Sequence, residues 1–80
     1  MNKNILGNTI KVQRSKVNMT QEQLANLVGV TRMTINYVER GRWIPSTVLA
    51  LKIVKVFCVS FEEVFFLKLE YNQTAEEKEF

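Results

Sequence analysis

Apolar residues recur at helical spacing along most of this chain, and the spacing changes to alternation near the C-terminal end. The first helical segment runs to about Lys16, and either Asn4 or Asn8 can cap it. Large apolar residues occupy every second position over residues 65–71, which predicts a strand. Residues 72–80 are polar and acidic and are expected to form a frayed tail.

Two short helices are predicted in the middle of the chain from their capping residues. Thr20 is followed three residues later by Gln23, which is the pattern of a capping box, and the helix that they open covers residues 21–28. Thr31 caps a third helix over residues 32–40. Only a short turn therefore separates the two helices.

The most apolar part of the chain predicts a fourth helix over residues 47–57, capped by Ser46. Apolar residues lie nearly all round this helix, so it is expected to be the central buried helix. Ser60 and Glu63 repeat the capping-box pattern and predict a short fifth helix. These elements together predict a compact all-α domain of five helices with one short C-terminal β-strand.

Basic residues are concentrated in the N-terminal half. The chain contains 11 Lys and Arg against 8 Asp and Glu, which gives a net charge of +3. Residues 1–45 carry +5, whereas residues 46–80 carry −2. A basic half favours a polyanionic partner, and a solvated surface of mixed charge explains the same numbers equally well.

The composition argues against an enzyme. The chain has no histidine and one cysteine, Cys58, so it lacks the usual residues of a histidine-based catalytic site or a zinc site. Cys58 lies in an apolar run and is expected to be a core thiol. No segment is apolar for long enough to form an export signal or a membrane span. We therefore expect a cytoplasmic binding protein with no cofactor, no metal and no membrane association.

The most informative segment is residues 21–40, QEQLANLVGVTRMTINYVER. Gly29 allows a sharp turn between the two helices, and Ala25 is small where the second helix crosses the first. Ile35 and Val38 lie three positions apart and can face a core together. Pairs of helices joined in this way place the second helix in the major groove of DNA.

This segment resembles the Cro/C1-type helix-turn-helix of the phage repressor, or xenobiotic-response-element, family. The resemblance covers about residues 8–66 and implies that family's five-helix DNA-binding domain over residues 1–71, with a recognition helix at 32–40. The residues that carry the resemblance are Gln21, Leu24, Ala25, Val28, Gly29, Val30, Thr31, Arg32, Thr34, Ile35, Val38, Glu39 and Gly41.

The recognition helix would present four side chains to the bases, because its apolar pair faces the core. Arg32 can donate two hydrogen bonds to guanine, or it can contact a phosphate. Met33 and Tyr37 can meet a thymine methyl and a sugar edge, or they can be partly buried against Trp43. Asn36 can read adenine, bind a phosphate or face solvent.

Residues around the motif are candidates for contacts with the DNA backbone. The resemblance and the helix dipole imply a phosphate contact at Gln21, where the helix before the turn begins. The full set of expected backbone contacts is Gln21, Thr31, Thr34, Arg40 and Arg42. The resemblance also implies a structural ion pair between Arg14 and Glu39.

A single recognition helix reads too few base pairs to define a unique site. The family binds palindromes as homodimers, with half-sites about 34 Å apart. The C-terminal part holds more large apolar residues than a five-helix core needs, and a two-fold interface would bury the surplus. The expected interface residues are Phe61, Phe65, Phe66, Leu67, Leu69 and Tyr71. The alternative is that Phe61, Val64 and Phe65 complete the core, and we expect this of some of them.

The predicted function is a sequence-specific transcriptional regulator that acts as a homodimeric repressor on double-stranded DNA. The alternative is an antitoxin-type or other protein-interaction module on the same scaffold, in which the apolar C-terminal segment would bind a protein partner. The strand at 65–71 is expected to pair with an N-terminal strand at 2–6 or with its equivalent in a second copy.

Overall fold

Five helices and two short strands make up residues 5–68, which are the residues that the computed structural model describes. The elements in chain order are β1 (Leu6–Asn8), α1 (Ile10–Lys16), α2 (Gln21–Val28), α3 (Arg32–Glu39), α4 (Thr47–Phe57), α5 (Phe61–Val64) and β2 (Phe65–Leu67). The predicted helical domain with a short C-terminal strand is confirmed. Predictions for Leu69, Tyr71 and the tail at 72–80 lie outside the described residues.

Three predicted helix caps are present with the expected hydrogen bonds. The Thr20 hydroxyl accepts from the backbone N–H of Gln23, and the Gln23 side chain accepts in return from the backbone N–H of Thr20, so the capping box is complete. The hydroxyls of Thr31 and Ser46 accept from the backbone N–H groups three residues further on. Local side-chain chemistry therefore sets where α2, α3 and α4 begin.

The chain enters the domain as a strand rather than as the start of a helix. β1 pairs antiparallel with β2, with Gly7 opposite Phe66, so the alternative in which the C-terminal strand pairs with an N-terminal strand is confirmed, although the described strand covers residues 6–8 rather than 2–6. The prediction of a first helix that begins after Asn4 is therefore wrong. The Asn8 side chain does accept a hydrogen bond from the backbone N–H of Ile10. A cross-strand partner about sixty residues away holds this segment extended.

The start of α5 departs from the predicted capping box. Ser60 makes no side-chain cap hydrogen bond, so that prediction is wrong. The region is instead fixed through its carbonyls, because the Thr9 hydroxyl donates to the Glu63 carbonyl at 2.6 Å and the Thr9 N–H donates to the Val64 carbonyl at 2.8 Å. These bonds join the end of α5 to the start of α1.

Helix α4 is buried on one face only. Ala50 and Ile53 lie in the core, whereas Val48 and Leu51 are exposed. The prediction that α4 is buried nearly all round is therefore wrong, because its outer face is exposed. Cys58 was expected in the core but is exposed; it ends α4 in the left-handed conformation at φ 56°.

The core joins every helix and β2. Its fully buried side chains lie on the inward faces of α1 to α5, and α2 and α3 make the most extensive helix–helix contact. The core residues are Ile10, Leu24, Ala25, Val28, Ile35, Val38, Ala50, Ile53, Val64 and Phe65. The inward pair predicted for the third helix, Ile35 and Val38, is confirmed.

Replacing Gly29 by alanine should lower the free energy of unfolding by about 1 kcal/mol. Gly29 ends α2 at φ 76°, and no atom lies within 4 Å of the position that a Cβ would occupy. Backbone strain is therefore the only cost. Denaturant unfolding should show a smaller loss for Gly29→Asn, because asparagine tolerates this conformation better. Equal losses for the two variants would contradict this explanation.

Candidate DNA-binding surface

The turn between α2 and α3 fixes how α3 lies on the domain. Gly29 has φ 76°, and the next residue, Val30, donates its backbone N–H to the carbonyl of Ala25 at 3.0 Å. Ala25 is buried where the two helices meet. A glycine in the left-handed region and a small residue at the crossing are the features that this compact turn requires.

A buried ion pair fastens the end of α3 to α1. Arg14 Nε donates to Glu39 Oε2 at 2.6 Å, and Arg14 Nη2 donates to Glu39 Oε1 at 3.0 Å. The remaining guanidinium nitrogen, Nη1, donates to the Met19 carbonyl at 2.9 Å. The two side chains are only 14% and 6% exposed, so this two-point pair holds a rigid geometry away from solvent.

Gln21 extends this network to the outer face of α3. Its Nε2 donates to Glu39 Oε1 at 3.0 Å, while its Oε1 lies 3.5 Å from Arg32 Nη1 and from Asn36 Nδ2. The sequence pattern predicts a phosphate contact at Gln21 and gives no indication of this bridging role. One side chain thus links the first turn of α2 to two of the predicted base-reading residues.

The outer face of α3 carries the four predicted base-reading residues. Arg32 and Met33 are exposed, and Asn36 and Tyr37 are half-buried. Tyr37 owes part of its burial to Trp43, whose ring centroid lies 4.8 Å away. The structure therefore brings these side chains to one face. Tyr37 lies on this face and also contacts Trp43, so both of its alternatives are present.

The candidate backbone contacts surround this face. The Thr31 and Thr34 hydroxyls lie 3.1 Å apart, and Thr31 also caps α3. Arg40 and Arg42 are exposed on either side of Gly41, which has φ 76°. Hydroxyls at one end of α3 and guanidinium groups at the other are donors suited to phosphate oxygens.

Asn8 is a positioning residue that the sequence pattern did not reveal. Its Nδ2 donates to the carbonyl of Val38 at 3.0 Å, near the C-terminal end of α3, while its Oδ1 accepts from Ile10. The sequence offered only its capping role. Strand β1 therefore holds the same end of α3 that Arg14 holds from α1.

The apolar C-terminal residues divide between the core and the surface. Phe65 is 3% exposed, so it is a core residue and the expectation that it lies in an interface is wrong for this residue. Phe61, Phe66 and Leu67 remain exposed, and Phe66 lies so close over Gly7 that a Cβ on Gly7 would overlap its ring. We call these three exposed residues the C-terminal patch.

None of the helices in residues 5–68 has the length and apolar character that a membrane crossing requires. The described residues also contain no group of three or more His, Cys, Asp or Glu side chains arranged to hold a metal ion.

Residues 10–64 match the model of the helix-turn-helix family. An HTH-type transcriptional regulator of Bacillus subtilis, YgzD, is 44% identical over 63 residues, which cover 79% of this chain and 96% of that protein. Another HTH-type transcriptional regulator, from Archaeoglobus fulgidus, is 52% identical over 56 residues, covering 70% of this chain and 79% of that protein.

Two solved structures have the same fold. The restriction-modification controller protein C.AhdI from Aeromonas hydrophila superposes with a TM-score of 0.63 at 31% identity, covering 68% of this chain and 82% of that one. A hypothetical transcription factor from Neisseria, NHTF, superposes with a TM-score of 0.62 at 24% identity, covering 85% of this chain and 75% of that one.

Proposed function

The chain belongs to the Cro/C1-type helix-turn-helix family of DNA-binding transcriptional regulators, and on this basis we propose that it binds DNA sequence-specifically with α3 in the major groove. The proposal gives base contacts to Arg32, Met33, Asn36 and Tyr37. It gives backbone contacts to Gln21, Thr31, Thr34, Arg40 and Arg42. Residues 1–71 act as the binding domain, with 72–80 as an acidic tail, and the protein acts in the cytoplasm.

The observation that best supports this function is a hydrogen-bonded network behind the outer face of α3. Arg14, Glu39 and Gln21 form a continuous network that ends 3.5 Å from Arg32 and Asn36. Side chains held before binding lose less conformational freedom when they meet a base. A surface that is merely solvated has no need of such support.

The second part of the proposal is a homodimer that represses transcription from a palindromic operator. The C-terminal patch supplies three exposed large apolar side chains from α5 and β2. A two-fold axis through this patch would bury them and set the two α3 helices at a fixed spacing. Repression then needs only occupancy of the operator, because a bound dimer blocks polymerase.

Selection from a random-sequence duplex pool, at two salt concentrations, tests the function. We expect a palindromic sequence to be enriched and the affinity to fall steeply with salt, since phosphate contacts release counterions. Enrichment of a single half-site would support base reading by α3 and reject the dimer. Weak binding with no sequence enrichment would reject sequence-specific regulation.

Replacing Leu67 by lysine should weaken self-association about tenfold, because it places a charge in the proposed apolar interface. Leu67 is 61% exposed, so the monomer fold should be unaffected. Leu27→Lys is a matched control, since Leu27 is 62% exposed but lies on α2. Sedimentation equilibrium of both variants measures the effect.

Wild-type protein that stays monomeric at every concentration would overturn the homodimer and favour the antitoxin-type alternative. In that case the C-terminal patch would be free to bind a different protein. An equal effect of Leu67→Lys and Leu27→Lys would show that added charge, rather than the patch, changes association.

A further inference from the structure

An exposed aromatic side chain extends the outer face of α3 beyond the helix itself. Trp43 is the only tryptophan in the chain, and it is 50% exposed although indole is the largest apolar side chain. It lies in the connection between α3 and α4, outside the recognition helix. Neither the helix-turn-helix motif nor the core accounts for an exposed ring at this position.

Trp43 is fixed to α3 by side chain and backbone together. Its ring is tilted by 56° against the ring of Tyr37, with 4.8 Å between the centroids, which is a favourable aromatic pair. The Tyr37 carbonyl accepts from the backbone N–H of Arg42 at 2.8 Å and from that of Trp43 at 3.3 Å. Arg42 and Trp43 are therefore fixed to the C-terminal end of α3.

The two rings continue a line of exposed apolar groups. Met33 precedes Tyr37 by four residues, so both lie on the same side of α3. We call Met33, Tyr37 and Trp43 the apolar strip. Two of its members, Met33 and Tyr37, are predicted base contacts, and the exposed residues Arg40 and Arg42 lie within three positions of Trp43 in the sequence.

The position of this strip favours a DNA duplex as its occupant. Met, Tyr, Trp and Arg are also enriched in protein interfaces, so composition alone does not separate the two occupants. The wall of the major groove offers thymine methyls and deoxyribose carbons to apolar groups, with phosphates at the edge for cations. Continuity with the α3 face through the Tyr37–Trp43 contact, with two exposed arginines nearby in the sequence, therefore indicates DNA as the occupant.

We propose that Trp43 is a DNA-contacting residue whose indole ring packs against the deoxyribose wall of the groove that α3 enters. Tyr37 supports the indole from the helix side, and Arg42 holds the adjoining phosphate. This inference rests on the proposed function, since it requires α3 to lie in the groove. It adds a contact from the α3–α4 connection at one edge of the binding site.

The fluorescence of the single tryptophan tests the inference directly in the wild-type protein. The probe is the duplex enriched from the random pool, at low salt, with binding followed independently by the anisotropy of a dye on the DNA. Bound duplex should shift the Trp43 emission to shorter wavelength and reduce its quenching by acrylamide. Anisotropy that rises while quenching stays unchanged would overturn the Trp43 contact and leave the proposed function intact.

Two substitutions separate a contact from a structural role. Trp43→Ala should weaken binding of the enriched duplex about fivefold, on the scale of a partly buried aromatic contact, and Trp43→Phe should retain most of the affinity. Leu27→Ala removes an exposed apolar group from α2 and should leave affinity unchanged. Thermal unfolding of each variant shows whether the fold is kept.

The remaining outcomes each reject the inference in a distinguishable way. If acrylamide quenching of Trp43 decreases as the protein concentration rises, in the absence of duplex, then Trp43 lies in an interface between copies of the chain. A folded Trp43→Ala variant with wild-type affinity would show that the ring lies outside the contact. Failure of the wild type to bind any duplex would reject the proposed function together with this inference.

Discussion

Replacing Arg14 by methionine should lower the free energy of unfolding by about 3 kcal/mol, because it leaves a buried carboxylate without its counter-charge. Glu39 is only 6% exposed, and two of its three side-chain hydrogen bonds come from Arg14. Methionine keeps much of the aliphatic stem, so the change removes charge and hydrogen bonds more than packing. Urea unfolding at neutral pH measures the loss.

The double variant Arg14→Met/Glu39→Met is the control for this prediction. Removing both charges leaves no buried ion alone, so the double variant should be more stable than either single variant. Additive losses, or single losses well under 1 kcal/mol, would contradict a pair that is coupled and desolvated. Because the ion pair joins α1 to α3, the Arg14→Met variant also shows whether the orientation of α3 depends on this pair.

Local chemistry made the helix starts predictable. Thr20, Thr31 and Ser46 each accept the backbone hydrogen bond that their position in the sequence predicts. Such bonds join residues three apart, so a short window of sequence contains both partners. The turn at Gly29 was predictable for the same reason, because its left-handed conformation is a property of a single residue.

Non-local contacts were the part of the fold that the sequence pattern could not specify. Pairing of the C-terminal strand with an N-terminal strand was one of two alternatives from the sequence, and nothing within residues 6–8 decides between a strand and the start of a helix. Strand β1 is extended because it pairs with β2. An unbroken apolar helix gives no indication of which side meets the core, so the exposure of Leu51 was missed. Alternation assigns Phe65 and Leu67 to the same face of the strand, yet only Phe65 is buried.

The candidate site was predictable as a set of residues but not as a network. Helical spacing alone assigns Arg32, Met33 and Tyr37 to the outer side of α3, since the inward positions are apolar. The bridging position of Gln21 and the anchoring bond of Asn8 depend on how separate elements meet. Contact between Tyr37 and Trp43 was one alternative from the sequence, and the fold of the α3–α4 connection decides that it forms.

Replacing Arg32 by alanine should weaken binding of the enriched duplex about 10- to 100-fold, the cost of losing a bidentate contact with guanine. Binding of an unrelated duplex should change little, because Arg32 carries base selectivity in this proposal. The side chain is exposed and its hydrogen bond to Gln21 is long, at 3.5 Å, so thermal stability should be retained. Titrations of both duplexes at several salt concentrations measure the two effects separately.

Arg42→Ala is the matched control, because Arg42 is also exposed and carries the same charge but belongs to the proposed backbone contacts. It should weaken both duplexes alike and reduce the salt slope by about 1, as expected when one phosphate contact is lost. The opposite pattern, with Arg32→Ala acting uniformly and lowering the salt slope, would make Arg32 a phosphate contact. Base reading would then depend on Asn36, Met33 and Tyr37, because they are the other groups on the outer face of α3 that can distinguish one base pair from another.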